Sequence, residues 1–340
     1  METNKPLTPD RIMGMISAFQ ASGVLKGAIE LGLFTALGKE RKSADQLAEE
    51  IKASPKGTRI MCDFLSVHGM LEKIDGHYQS APDAALFLDR NSPAYFGSVG
   101  QLMATKDIFT PFMDVASLVR KGGTTLQGQG TVEANYPMWV QFARDMVPMM
   151  MPAAGLISEL VCKDLDAATP LKVLDLAAGH GVFGIEIAKR HPGAEIVAQD
   201  WAPVLDVATE NAQKAGVHDR HQRIEGSAFE VDLGDGYDVV LLTNFLHHFD
   251  AQTCTNLLKR IHASLNDGGR VVTVEFVPNA DHVSPPFESC FSMIMLATTA
   301  SGDAYTFAEL EKMFTDAGFN QNDLIRQEGL PQSIVVSRKS

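Results

Sequence analysis

Cysteine is scarce and scattered. Cys62, Cys162, Cys254 and Cys290 form no CxxC pair, so neither a disulfide framework nor a zinc cluster is indicated, and reduced, mostly buried thiols are expected. Positive charge is also in short supply. The 29 Lys and Arg against 42 Asp and Glu leave a net charge of -13, which repels nucleic acid and anionic membranes unless one face is locally basic. No uninterrupted apolar run approaches the roughly 18 to 20 residues that a membrane span requires. The opening METNKPLTPD lacks the charged-then-apolar layout of a secretory leader, so a cytoplasmic protein is expected. No acidic cluster suggests a divalent metal, and none is expected. What the chain does have is length and apolar content: 340 residues, 45% apolar and 21% charged, enough for two domains with their own cores.

The pattern changes character near residue 165. Before it the signals are helical. Thr8-Pro9-Asp10 reads as a helix start, after which Ile12, Ile16, Phe19 and Val24 recur at near-helical spacing. Ser43 and Gln46 stand in capping-box register, and Ser54 precedes Pro55 at a first helical position. LEKIDGHYQS reads as a hairpin turning at Asp75-Gly76, a dipeptide that accepts the positive φ angles of a tight primed turn. Three short helices and a hairpin make a winged helix. Its second short helix offers only Lys56 and Arg59 as cations, with Asp63 nearby, which is a poor phosphate-binding surface. The long first helix, with Gly14, Gly23, Gly27 and Gly32, suits close packing on another helix, so dimerisation is expected in preference to DNA binding.

From residue 171 strands alternate with helices: LKVLDLA, AEIVAQD, HQRIEG, YDVVLLTNF and RVVTVEF are strands, with a helix capped by Asp250 before the last. That spacing implies an α/β, doubly wound, mostly parallel sheet of Rossmann type, whose ligands bind at the carboxyl ends of the strands. The first turn, DLAAGHG, carries Asp175, Gly179 and Gly181, and glycines there let backbone approach a ligand at a helix N-terminus. The spacing is not G-x-G-x-x-G, so the dinucleotide fingerprint is incomplete. Asp200 ends the second strand 19 residues after Gly181, where a carboxylate can accept both hydroxyls of a ribose.

These segments together resemble the class I S-adenosylmethionine-dependent small-molecule O-methyltransferases that carry an N-terminal winged-helix dimerisation domain. LDLAAGHG matches that family's glycine motif, AQDW its ribose-binding acid, EGSAF its adenine-side segment, and FLHHFDAQTC the segment holding the catalytic histidine. RVVTVEFVP and GDAYTFAELEKMFTDAGF match its late strand and final helix. The resemblance implies a dimerisation domain over 1–105, a helical linker over 106–165 that contributes to the substrate pocket, and a methyltransferase domain over 166–340. It implies S-adenosylmethionine as cofactor, no metal, a small-molecule acceptor and a homodimer. The implied cofactor residues are Asp175, Gly179, Gly181, Asp200, Trp201, Ser227, Ala228, Phe229 and Thr243. Three departures stand out: Ala177 and Ala178 replace glycines, which a slightly wider turn could accommodate; Ser227 replaces an aspartate; Thr243 replaces a lysine of plant members.

Counting the family's histidine-to-cysteine spacing back from Cys254 puts the base at His247, with His248 where an aspartate usually follows. A neutral imidazole can take a hydroxyl proton as the oxygen attacks the methyl group. Glu275 matches one of two glutamates that flank this histidine; the other position is Ala304, beside Asp303. Phe142, Met146, Met149, His248 and Met295 match regions lining the acceptor cavity, though several of the fifteen methionines must be ordinary core. With half of the glutamate pair missing, C- or N-methylation by positioning alone, or a non-catalytic cofactor-binding regulator, stays open beside O-methylation.

Overall fold

The computed structural model describes residues 7–163, 165–166 and 168–340; the first six residues, on which the leader reading partly rests, lie outside them. The chain divides into two compact units, one ending at Thr105 and the other running Lys106–Ser340.

In the first unit the 22-residue helix α1 (Asp10–Leu31) opens without a side-chain cap. The Thr8 hydroxyl donates instead to the Asp10 carboxylate. Only Ala28 and Ile29 of this helix are buried, while Ile12, Met15, Ile16 and Phe19 stand more than half exposed. By length and composition α1 could cross a membrane, one 18-residue window having a mean hydropathy of 1.3. Helix α2 (Ala44–Glu50) carries the full Ser43–Gln46 capping box, and α3 (Pro55–Val67) is capped by Ser54. Strands β1 (Lys42–Ser43), β2 (Leu71–Ile74) and β3 (His77–Ser80) form an antiparallel sheet in the order β1-β3-β2. Asp75 and Gly76 take φ of 48° and 78°, the primed-turn geometry expected of that pair. Phe34, Leu47, Leu65 and Tyr78 close the core. Arg59 is tied to Asp63 at 2.8 Å, as is Lys73 at 2.6 Å, which further weakens this wing as a phosphate-binding face.

The second unit begins with a helical stretch that includes α4 (Met138–Asp145) and α5 (Val147–Cys162). The alternating part then follows in order: β4 (Leu171–Leu176), α6 (Val182–Arg190), β5 (Ala194–Asp200), α7 (Ala202–Lys214), β6 (His221–Glu225), β7 (Tyr237–Thr243), α8 (Ala251–Ser264), β8 (Leu265–Glu275), α9 (Pro286–Thr298), α10 (Phe307–Asp316), β9 (Gln321–Arg326) and β10 (Ser333–Arg338). The seven strands lie in the order β6-β5-β4-β7-β8-β10-β9. The first five are parallel and β10 is antiparallel to both neighbours. Central strands such as VVLL of β7 are buried on both faces, as a sheet covered by helices on each side requires. Strand order reverses beside β4, and the crevice outside the carboxyl ends there is where such sheets bind ligands. Helix α4 lies against α7 through Trp139 and Ala143 on Val204 and Val207. Arg144 adds two bonds to Glu210, at 2.9 and 3.0 Å.

Candidate active site

The carboxyl ends of β4, β5 and β7 open into one cavity. Its polar floor is Asp200. The Gly179 N–H donates to Asp200 Oδ2 at 2.9 Å and the Trp201 N–H to Oδ1 at 2.7 Å, so the carboxylate is fixed at the strand end with a lone pair to spare on each oxygen. Burial pushes its pKa up to about 6. Gly179 has φ +57°, and a Cβ placed on it would touch nothing nearer than the Ala177 carbonyl at 4.0 Å, so the glycine keeps this side of the cavity clear. Gln199 staples the two flanking loops: its Oε1 accepts from the Ala177 N–H at 3.3 Å and its Nε2 donates to the Gly226 carbonyl at 2.5 Å. Ser227, Ala228, Phe229, Phe245 and Phe249 make the next wall, with Phe229 edge-on to Phe249 at 4.8 Å. A fixed carboxylate for a diol beside a flat aromatic slot fits a nucleoside, and thus S-adenosylmethionine.

Ala177 keeps φ at +53°. The alanine thus holds the left-handed conformation, which costs a non-glycine residue roughly 1–2 kcal/mol. Gly181 and Asp175 stand behind the cavity rather than in its wall. A Cβ on Gly181 would lie 2.9 Å from that of Ala208, so this glycine answers to packing between α6 and α7. Asp175 is fully buried, accepts the Gly184 N–H at 3.1 Å through Oδ2, and leaves Oδ1 without a partner among the described residues. Burial raises its pKa to about 7.

A single 3-10 turn, Leu246–His248, carries both histidines. Glu275, at the end of β8, organises it. Its Oε1 accepts the N–H of Phe245 (3.0 Å) and of Leu246 (2.8 Å), and its Oε2 bonds His247 Nδ1. The His247 ring is buried, edge-on to Phe291 of α9 at 4.8 Å, and with Nδ1 engaged its Nε2 makes no hydrogen bond among the described residues. His248 packs at 4.2 Å from His247 but turns the other way. It lines the cavity, edge-on to Trp139 at 5.2 Å. Its Nδ1 bonds the Phe245 carbonyl at 3.1 Å, and burial, with His247 adjacent, holds its pKa well below the usual imidazole value. Gly302 presses on this turn, because a Cβ there would collide with the His247 carbonyl.

Of the residues singled out from the sequence, Gly179, Asp200, Trp201, Ser227, Ala228, Phe229, Thr243, Phe142 and His248 meet in the cavity wall. His247 and Glu275 pair beside it, and Met146, Met149 and Met295 are not in its lining. Ala304, at the second glutamate position, is buried, and the adjacent Asp303 carboxylate accepts the Ala304 N–H at 2.8 Å. His180, Gln199, Asn244, Phe245 and Trp139 line the cavity without having been singled out. His180 sits inside the quoted glycine turn, so proximity alone could have flagged it; burial lowers its pKa to about 4.

A family profile for the O-methyltransferase domain matches residues 112–320, and one for the O-methyltransferase dimerisation domain matches residues 13–90. A crystal structure from Nostoc punctiforme, assigned as an O-methyltransferase, is 44% identical and superposes with a TM-score of 0.95, covering 98% of this chain and 100% of that one. The tetracenomycin polyketide synthesis 8-O-methyl transferase of Streptomyces glaucescens is 27% identical over 332 residues, 97% of each chain. Human N-acetylserotonin methyltransferase, solved with S-adenosylmethionine, shares the fold at 23% identity and a TM-score of 0.85 across the full length of both. With a profile covering more than half the chain, this protein belongs to the O-methyltransferase family and is an S-adenosylmethionine-dependent methyltransferase.

Proposed function

We propose that the protein methylates a hydroxyl group of a small aromatic metabolite, with His247 as the base. The observation that carries the base assignment is the buried His247–Glu275 pair. Glu275 holds Nδ1, which fixes the tautomer that presents the Nε2 lone pair, and its charge stabilises the imidazolium once a hydroxyl proton arrives. When bound, S-adenosylmethionine supplies an electrophilic methyl group on a sulfonium. Asp200 would take the ribose hydroxyls, Gly179 and the backbone around Asp175 and Gly181 would admit the rest of the nucleoside, and Trp201, Ser227, Ala228, Phe229 and Thr243 would close around it. Phe142, Trp139 and His248 would face the acceptor, with Met146, Met149 and Met295 behind, so the helical stretch 106–165 serves the catalytic domain of 166–340. Aromatic walls favour a flat acceptor, in keeping with relatives named for tetracenomycin, 3-hydroxy-5-methyl-1-naphthoate and acetylserotonin.

One observation favours a second reading: His248, not His247, lines the cavity. Its depressed pKa makes it a weaker base, and it lacks a carboxylate partner, so we assign it to holding the acceptor. The test is transfer of labelled methyl from S-adenosylmethionine to a panel of phenols and naphthols by the wild type, His247→Ala and His248→Ala. Loss of turnover in His248→Ala alone would reverse the assignment; no transfer to any hydroxyl would remove the O-methylation reading.

The exposed apolar stripe of α1 would pack on a second copy to make a homodimer rather than enter a membrane. The match to a dimerisation domain over residues 13–90 supports this, as do Gly14, Gly23 and Gly27, where a Cβ would meet nothing within 4 Å. The dimer would work in the cytoplasm without a nucleic-acid partner, residues 1–105 serving association.

A further inference from the structure

One imidazole in the cavity wall has a ring nitrogen without a partner and no part in the chemistry above. His180, in the turn after β4, lines the cavity and is 4% exposed. It is held from several sides. Its carbonyl accepts from Asn211 Nδ2 at 2.9 Å, its ring centroid lies 5.7 Å from that of Phe183, and its Nδ1 accepts the Val182 N–H at 3.3 Å. That last bond fixes the tautomer. With Nδ1 accepting and burial keeping the ring neutral, the proton sits on Nε2, which then acts as a donor. Nε2 makes no hydrogen bond among the described residues and, unlike the buried Nε2 of His221, keeps accessible surface. A donor fixed in a cavity wall and left unpaired calls for an acceptor on whatever fills the cavity.

Strand order indicates which part of a nucleoside ligand reaches it. Along the edge β6-β5-β4-β7, the wall after β6 runs from Gly226 to Phe229, Asp200 ends β5, and His180 follows β4. A nucleoside with its base against Phe229 and its ribose on Asp200 directs its 5′ substituent toward the turn that carries His180. The Gly179 N–H, on Asp200 Oδ2 at 2.9 Å, already joins that turn to the ribose acid. In S-adenosylmethionine the 5′ substituent is a sulfonium whose chain ends in an ammonium and a carboxylate. The sulfonium is cationic and the ammonium only donates, so neither complements an N–H. The carboxylate does, and a hydrogen bond to an ionised acceptor is among the stronger ones.

We infer that the His180 Nε2–H binds the carboxylate of the amino-acid tail of S-adenosylmethionine and so sets where the cofactor lies along the cavity. The inference rests on the assignment of the ribose to Asp200 given above. It makes His180 a residue that discriminates between nucleosides: a thioether without the tail leaves the donor unpaired and binds more weakly.

The test is calorimetric titration of two ligands, S-adenosylhomocysteine and 5′-methylthioadenosine, which keeps the nucleoside thioether but lacks the amino-acid tail. The proteins are the wild type, His180→Asn, His180→Gln and Asp200→Ala. The asparagine amide reaches the place of Nδ1 and can keep the bond from Val182; the glutamine amide reaches the place of Nε2 and can keep the donor. His180→Asn should weaken S-adenosylhomocysteine about ten- to a hundredfold, the loss expected of one hydrogen bond to a charged group, with 5′-methylthioadenosine within about twofold of wild type. His180→Gln should bind S-adenosylhomocysteine at least about fivefold more tightly than His180→Asn. Asp200→Ala should weaken both ligands by the same factor. Equal weakening of both ligands in His180→Asn, or a glutamine variant no better than the asparagine one, overturns the inference and leaves His180 as a cap on α6. If Asp200→Ala binds both ligands as the wild type does, the ribose assignment fails and this inference falls with it.

Discussion

Replacing Asp200 with alanine removes the only carboxylate in the cavity wall among the described residues. In the wild type both oxygens already hold a backbone N–H, from Gly179 and Trp201, and each keeps a lone pair for a ribose hydroxyl. Two charge-assisted hydrogen bonds lost together amount to about 3–5 kcal/mol, a weakening of roughly 150- to 5000-fold. Calorimetric titration of S-adenosylhomocysteine into the two proteins measures it directly. The pH dependence adds an independent handle. Because burial raises Asp200 from 3.8 to about 6, the folded protein holds this proton more tightly than the unfolded chain. Stability from this group is therefore complete below the unfolded value and is lost as pH rises through 6. Binding runs the other way, since the hydroxyls donate to the ionised form. Affinity should be level well above pH 6 and should fall in acid by at most about tenfold per pH unit, a slope absent from Asp200→Ala. Asp175 titrates nearby, at about 7, raised first by burial and in part by the Asp200 charge, so Asp200→Ala removes its own step and also lowers that of Asp175. Binding by the alanine variant within threefold of wild type, or a flat wild-type profile from pH 5 to 8, would refute the ribose assignment.

Glu275→Gln can still accept the two N–H groups of Phe245 and Leu246 but loses the charge beside His247; kcat should fall by about ten- to a hundredfold with S-adenosylhomocysteine affinity unchanged, and a kcat within twofold of wild type would show that the carboxylate charge is idle. Gly302→Ala drives a methyl group into the His247 carbonyl; we expect a loss of about 1–3 kcal/mol in stability by denaturant titration together with reduced turnover. Gly181→Ala meets Ala208 at 2.9 Å with φ at +71° and should cost about 2–4 kcal/mol, whereas Gly179→Ala should cost only the φ strain, about 1–2 kcal/mol, and be felt mainly in cofactor affinity. Phe19→Glu with Ile16→Glu should convert a dimer to a monomer by light scattering with the far-UV spectrum preserved; an unchanged mass would place the interface elsewhere.

The strands were legible because a sheet buried on both faces demands continuous runs such as VLDL and VVLL, and the caps because Ser43, Ser54 and Asp250 sit where orphan N–H groups need acceptors. The place of Asp200 in the cavity wall was legible too, because the carboxyl end of the second strand stands at the ligand-binding edge of such a sheet. What the chain does not spell out is direction. His247 and His248 are neighbours in a sequence motif, and only the 3-10 turn imposed by Glu275 sends one ring toward Phe291 and the other toward Trp139. Asn244 and Gln332 both donate to the Met150 sulfur, 94 and 182 residues away in sequence, beyond any local pattern. Nor does the sequence show that Ala177 sits at positive φ, a strain held in a loop stapled by Gln199.

The chain contains two tryptophans, and both line this one cavity, Trp201 on the side of Asp200 and Trp139 on the side of His248. Both indoles therefore stand where a ligand entering the cavity would change their surroundings. Intrinsic emission becomes a private optical channel for ligand entry, with Trp201→Phe silencing the nucleoside side and Trp139→Phe the acceptor side. The order in which two ligands arrive can then be followed by stopped-flow fluorescence in unlabelled protein, before any acceptor has been identified by turnover.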